Sequence, residues 1–215
     1  MKDLKRLAAH ARNCGLEIVP KLNFSKSEIN RHDEWSKVPG ATWWADLDDP
    51  DGYLKKGFDC IDEIIEACGP KRFFHVGMDE DHSRSYSQYA ETITRLRSGL
   101  KKRNLRTMIW NDSAIDYPNG QIFVEKINNA YGRIPKDIVH IIWDYRSVPE
   151  KQIRIAASKG FDVWGAPYWK DAIQTKGVIE VLEKVHGQGV LVTTWKKCEQ
   201  KNRRDLLSAI SSLAK

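Results

Sequence analysis

Apolar positions along the chain switch repeatedly between a 3.6-residue period and short unbroken runs. Leu4, Leu7, Ala8 and Ala11 share one face of a helix predicted over 3–14, and Gly15 stands where such a helix ends. The next stretch, Leu16-Glu17-Ile18-Val19-Pro20-Lys21-Leu22-Asn23-Phe24, reads as a strand. The same grammar then recurs. A helix over 59–68, closed by Gly69-Pro70, precedes a strand from Phe73 to Asp79, and a helix over 86–102 precedes a strand over 105–110. A helical or irregular segment at 122–131 leads to a strand at 138–143, and a helix over 149–159, closed by Gly160, leads to a strand at 161–165. A helix over 176–186, closed by Gly187, leads to a strand at 190–195, and a last helix spans 203–213.

The later strands start near residues 73, 107, 139, 162 and 190, which is the spacing of a βα unit. They are near-continuous apolar runs, as parallel strands covered on both faces are. An open doubly wound sheet usually carries a Gly-rich phosphate turn after an early strand, and no such turn is present here. The expected fold class is therefore α/β, a (β/α)8 TIM barrel with about six of its eight βα units, strands three to eight. A single partial-barrel domain over 1–215 is expected, with the missing barrel segment or further domains upstream. Such a piece leaves two sheet edges unpaired.

One segment breaks the rhythm. Residues 25–56 show no clear element, yet they hold Trp35, Trp43 and Trp44 with His32, Asp46, Asp48, Asp49 and Asp51. A long Trp-rich loop in a compact domain is expected to form a lid or a wall of a binding cleft.

Composition changes this picture little. With 41% hydrophobic and 30% charged residues the chain is ordinary for a globular protein. The net charge of +6 would suit an anionic partner, but the Lys and Arg are dispersed and no nucleic-acid motif accompanies them, so a solvated face is expected and no nucleic-acid partner. Cys14, Cys60, Cys68 and Cys198 form no CxxC pair and read as free buried thiols. No apolar run follows Met1 or reaches membrane-spanning length, so neither a signal peptide nor a membrane partner is expected. Localisation stays open.

Candidate chemistry gathers where strands stop. Phe73 to Val76 runs into Asp79-Glu80-Asp81-His82, and a strand ending in carboxylates is how an α/β barrel places its chemistry. Four later strands end near Trp110, Trp143, Trp164 and Trp195, followed by Asn111-Asp112, Asp144-Tyr145, Tyr168-Trp169-Lys170-Asp171 and Lys196-Lys197. Indole faces rimmed by carboxylates suit sugar rings, whose C–H faces stack while their hydroxyls hydrogen-bond. Adjacent carboxylates in such a site suit glycoside hydrolysis, which needs a proton donor and a second group to stabilise the developing charge. The competing readings are an acidic turn that starts the next helix, and a rim metal set drawn from Asp79, Glu80, Asp81 and His82. His75 and Asp79 would lie about 13 Å apart along a strand and cannot share one ion.

His75-Val76-Gly77-Met78-Asp79-Glu80 resembles the His-x-Gly-Gly-Asp-Glu motif of glycoside hydrolase family 20, the β-N-acetylhexosaminidases and their relatives. Ile109-Trp110-Asn111-Asp112 is similar to that family's fifth-strand Trp segment, Tyr168-Trp169-Lys170-Asp171 to its seventh-strand loop, and Gly189 to Trp195 to its last strand. The resemblance implies a retaining mechanism in which the substrate's own 2-acetamido oxygen attacks the anomeric carbon, without metal or cofactor. Asp79 would orient the acetamido group, Glu80 would serve as general acid and then base, and Tyr168 would donate to the acetamido oxygen. Trp110, Asp112, Trp143, Trp164, Trp169, Asp171 and Trp195 would bind the sugar, a terminal N-acetylhexosaminide. Members of the family are often secreted, periplasmic or lysosomal. The chain departs from the pattern at Met78, where the family has Gly, at Lys21 and Asn23, where it has Glu and Asp, and at Lys197, where it has an acid. These departures leave open a catalytically silent sugar-binding barrel, beside the metal-assisted alternative.

Overall fold

Apolar runs interleaved with amphipathic helices fold as parallel strands and the helices that cover them. In the computed structural model, residues 1–26, 49–115, 121–194, 196–197 and 199–211 are described. The elements are α1 (Lys2–Asn13), α2 (Pro50–Cys68), β1 (Phe73–His75), α3 (Tyr86–Lys101), β2 (Arg106–Asn111), α4 (Gln121–Ala130), β3 (Val139–Trp143), α5 (Glu150–Ser158), β4 (Asp162–Ala166), α6 (Ala172–Lys184), β5 (Gly189–Val190) and α7 (Arg203–Ser211). Every strand pairing between these elements given below is parallel. Among the described residues no helix is long and apolar enough to cross a membrane.

The chain divides into two compact units, residues 1–109 with 132–138, and residues 110–131 with 139–215. In the first unit β1 pairs with β2, Phe73 facing Arg106 and His75 facing Met108. Phe24, Ile61, Phe74, Val76, Met78, Ile93, Leu96 and Leu100 fill its core, each with no exposed surface. The expected strand at 16–24 does not form a ladder. It contributes one bridge, Lys21 to His75, with bonds from Leu22 N–H to the His75 carbonyl (3.0 Å) and from Phe24 N–H to the Val76 carbonyl (2.9 Å). Pro20 lacks the N–H that a longer regular ladder would use, and its carbonyl alone serves as acceptor, for His75 N–H at 2.9 Å.

Two other boundaries move for local reasons. The helix expected from Asp59 starts at Pro50, because Asp49 caps it, accepting from Gly52 N–H at 2.9 Å, and Pro suits the first helical position. Residues 50–56 of the supposed loop are therefore helical, while 27–48, with their three Trp, lie outside the described residues. Helix α3 starts where its sequence predicts, at a capping box in which Ser85 and Gln88 satisfy each other's backbone N–H groups. Cys60 and Cys68 are free thiols that burial pushes up, whereas Cys14 is exposed rather than buried.

In the second unit β3 pairs with β4 over five residues, Val139 facing Asp162 and Trp143 facing Ala166, and β4 pairs with β5. A Cβ on Gly165 would lie 2.3 Å from Val178 Cγ1, so β4 turns this position toward α6 and its alternate, Trp164, toward the other face. The rings of His140, Phe161 and Tyr131 meet at tilted angles with centroids 4.2 to 5.8 Å apart.

Candidate active site

The turn that follows β1 is where the first unit places its carboxylates. The strand stops at His75 instead of Asp79 because Gly77, Met78 and Glu80 all take left-handed backbone, at φ 73°, 76° and 49°. Such conformations cost a non-glycine residue about 1–2 kcal/mol each and persist where surrounding contacts over-determine them. Here the contacts are visible. Met78 is fully buried and its carbonyl accepts from the Tyr89 hydroxyl at 3.2 Å. Glycine takes such an angle freely, whereas Met78 adopts it at a cost.

Asn23 grips the turn from across the strand pairing. Its Oδ1 accepts from the Met78 N–H (3.1 Å), the Ser25 N–H (3.0 Å) and the Ser25 hydroxyl (2.6 Å), and its Nδ2 donates to Asp79 Oδ1 at 2.7 Å. Asp79 is 7% exposed, and Glu80 is partly exposed. Asp81 does not join them. Its carboxylate pairs with the guanidinium of Arg84 and accepts from the backbone N–H of Lys26 (2.9 Å) and of Arg84 (3.0 Å). Arg84 also donates to the Phe24 carbonyl at 2.9 Å, and the buried Lys26 lies 4.7 Å from the Tyr53 ring centre. This buried clasp ties segment 24–26 to the loop after Glu80, so Asp81 is structural and is withdrawn from the rim metal set. Among the described residues, no three His, Cys, Asp or Glu side chains are grouped to hold a metal ion.

His75 is buried, and its Nδ1 accepts from Gly77 N–H at 2.9 Å, which leaves the ring proton on Nε2. Burial, reinforced by the charge of Lys21, holds this imidazole well below its ordinary value near 6.5, so it is neutral in the fold. The unfolded chain gains a proton here as pH falls below about 6.5, where the fold resists one, so stability declines as pH drops through that range. Urea unfolding between pH 7.5 and 5.5 should show this slope, and His75→Gln should flatten it by up to one proton. An unchanged slope in the variant would contradict the assignment.

In the second unit the candidates sit on three consecutive strand ends. Asn111 closes β2 fully buried, donating through Nδ2 to the Tyr131 hydroxyl (2.9 Å), lying 3.0 Å from His140 Nδ1, and accepting from Ser113 N–H (2.9 Å). Asp112, next in chain and 2% exposed, accepts from Trp143 Nε1 at 2.8 Å and so orients that indole. Beyond β3 and β4, Trp143, Tyr145, Tyr168 and Trp169 follow one another as a string of aromatic rings, with successive centroids 5.2, 6.0 and 6.1 Å apart. Tyr168 is half-buried and Trp169 buried.

The strand ends differ from the sequence expectation in detail. Trp143 is the last residue of its strand, but Trp110 precedes Asn111, and β4 runs two residues beyond Trp164, which packs against Gly189 of β5. Asp171 is exposed and caps α6, accepting from Gln174 N–H at 2.8 Å, so that helix begins four residues before the Lys176 expected. Trp195 lies outside the described residues, and Lys197 is exposed.

One organiser escaped the sequence reading. Gln174 is buried, accepts from Tyr168 N–H at 2.9 Å, and donates to the carbonyls of Asp144 (2.9 Å) and Ser147 (2.7 Å). It thereby couples the loop after β3 to the loop after β4. Its signal lies in the sequence: Asp171 followed three residues later by Gln is the spacing of a helix start.

No protein-family model and no curated protein sequence matches the chain. Solved structures do. The chain is similar to dispersin B, with 17% identity and a TM-score of 0.64 over 99% of this chain and 74% of that one. It is also similar to the family 20 β-N-acetylhexosaminidase of Streptomyces coelicolor A3(2), with 17% identity and a TM-score of 0.52 over 77% of this chain and 33% of that one. A D-allulose 3-epimerase from Methylomonas sp. superposes at 10% identity and a TM-score of 0.53 over 98% of this chain and 79% of that one. The fold is a partial (β/α)8 barrel. That one barrel scaffold is shared by glycosidase and epimerase shows why the fold by itself assigns no chemistry, which lives in the residues at the strand ends. These likenesses, at 17% identity or below, show the fold alone.

Proposed function

We propose that the chain provides catalytic residues of a glycoside hydrolase that removes terminal N-acetylhexosamines with retention, assisted by the substrate. The observation that carries this is the Asp79-Glu80 turn: adjacent carboxylates at the C-terminal end of a parallel strand, on strained backbone, with the first held by a buried amide. The β-N-acetylhexosaminidase among the structural neighbours supports the substrate class.

In this reading Glu80 gives its proton to the glycosidic oxygen as that oxygen leaves the anomeric carbon. The acetamido carbonyl oxygen of the same sugar forms the new bond to that carbon, and Asp79 accepts from the acetamido N–H, which becomes more acidic as positive charge spreads over the ring so formed. Water then attacks the anomeric carbon, giving its proton to Glu80 and reopening the ring with the starting configuration. Tyr168 is assigned the hydrogen bond to the acetamido oxygen, and the aromatic string beside it the sugar face. Asp112 serves through Trp143, whose indole N–H it holds.

The test is turnover of p-nitrophenyl N-acetylglucosaminide and N-acetylgalactosaminide against the matching glucoside and galactoside. Cleavage confined to the N-acetyl pair is expected. Equal cleavage of the plain glycosides would remove the acetamido group from the mechanism.

A further inference from the structure

Two helices of this chain open with the same spacing, an N-cap residue followed three places later by Gln, and the two glutamines do different work. In α3 the pair closes on itself, the exposed Gln88 accepting the N–H of its own cap, Ser85, at 2.9 Å. In α6 the N–H of the cap, Asp171, is taken by the Tyr168 carbonyl at 3.0 Å. The buried Gln174 reaches past that cap to the Tyr168 N–H, and its amide nitrogen leaves the helix for the Asp144 and Ser147 carbonyls. The partners fix its orientation, since an N–H only donates and a carbonyl only accepts, so Oε1 faces Tyr168 and Nε2 the other loop.

The loops joined in this way carry the aromatic string. The β3–β4 ladder stops at Trp143 and Ala166, so Tyr145 and Tyr168, each two residues further on, lie beyond its backbone bonds. Tyr145 rides on a turn that the Asp144 carboxylate closes, accepting from the Arg146 N–H and the Ser147 hydroxyl at 2.7 Å each. Its ring is 6.0 Å from that of Tyr168 and 5.2 Å from that of Trp143, whose indole Asp112 holds. Gln174 thus takes over where the ladder ends, bonding the backbone of Tyr168 and of the turn against which its ring lies. On its other side Tyr168 bridges Thr193, so loss of Gln174 should shift the loop after β4 without releasing it.

We propose that Gln174 is a positioning residue that places the Tyr168 hydroxyl for the acetamido oxygen of the substrate, a role that rests on the assignment of Tyr168 made above. A hydroxyl must meet that oxygen near 3 Å, and here its ring is carried between two loops that share no ladder bonds. One buried amide with three backbone partners supplies the missing link.

Gln174→Met keeps length and bulk and removes all three bonds. On p-nitrophenyl N-acetylglucosaminide, kcat per folded molecule should fall about 10²-fold, the size of effect that misplacing a reacting group by about 1 Å produces. Tyr168→Phe should cost about 10²-fold as well, as loss of one positioned donor does. Because the first change acts through the second, the double variant should be no slower than Tyr168→Phe, whereas independent losses would multiply to about 10⁴-fold. Gln88→Met, which removes only a helix-cap contact, should leave kcat unchanged. A double variant slowed by the product of the two single losses makes Gln174 merely structural and overturns the proposal, and so does Gln174→Met with kcat within twofold of wild type. Should Gln174→Met not fold, Gln174→Glu, which keeps the acceptor for Tyr168 and loses both donors, enters the same cycle under the same criteria. If Tyr168→Phe retains kcat while Glu80→Gln abolishes it, the roles of Tyr168 and Gln174 both fall and the hydrolase reading stands. Should wild type cleave nothing, that reading fails, and the same cycle is decided on calorimetric affinity for N-acetylglucosamine. There, losses that multiply, or no binding by wild type, overturn the proposal.

Discussion

Glu80→Gln should lower kcat on an N-acetylhexosaminide by about 10²–10⁴-fold, the usual contribution of a positioned acid or base. The substitution keeps shape and hydrogen-bonding reach but cannot deliver a proton to the leaving oxygen. Glu80 is partly exposed, so folding should be affected little, and the melting temperature is the control. A second measurement sharpens the result. With a leaving group that needs no proton, such as 2,4-dinitrophenol, the first step should recover much of its rate, while the water step, which needs the base, stays slow. Azide added as a nucleophile that needs no deprotonation should then restore turnover. Activity of Glu80→Gln equal to wild type on all substrates would remove Glu80 from the mechanism, and Asp79-Glu80 would become an acidic turn leading to α3.

Gly77→Ala should cost roughly 2–5 kcal/mol of stability, combining left-handed backbone with overpacking against a buried neighbour. The added Cβ would sit 1.9 Å from Asn23 Oδ1, 2.2 Å from its Cγ and 2.8 Å from its Cα. The last of these is main chain and cannot swing aside, so the segment around Asn23 must move, and the support of Asp79 with it. Gly15→Ala is the matched control. Gly15 has φ 77° but nothing within 4 Å of an added Cβ, so it should pay only the backbone cost of about 1–2 kcal/mol. Urea midpoints of the two variants should separate clearly, and equal losses would mean that the turn relaxes away from Asn23. In whatever Gly77→Ala remains folded, kcat should also fall, because the methyl displaces the Asn23 amide whose Nδ2 donates to Asp79.

The Asp79-Glu80 turn illustrates how much was legible beforehand. The motif drew attention to the pair, and the flanking apolar run correctly announced a strand ending nearby. The sequence also flagged Met78 and Asn23 as departures, without their meaning. Met78 matters because its backbone is left-handed, an angle set by the turn's contacts with Asn23 and Tyr89. Asn23 matters because pairing between segments 20–24 and 73–76 brings residues 56 apart in the chain into hydrogen-bond distance. Asp81 looked equivalent to its neighbours in sequence, and only its pairing with Arg84 shows it to be part of the clasp.

By itself, the sequence determined the order and kind of the elements from residue 59 on, and with them the barrel class, but not the lone bridge at Lys21 or the helical start at Pro50. Apolar period, helix-stopping Gly and the length of a βα unit are local properties, written within about 30 residues each. It also located the carboxylate pair. Tertiary structure alone decided how far each strand runs, which Trp is oriented by a carboxylate, and which amides, Asn23 and Gln174, hold the candidate residues in place. The physical reason is that a buried hydrogen bond depends on two groups meeting at about 3 Å, and parallel pairing brings together partners whose separation in the chain no local pattern records.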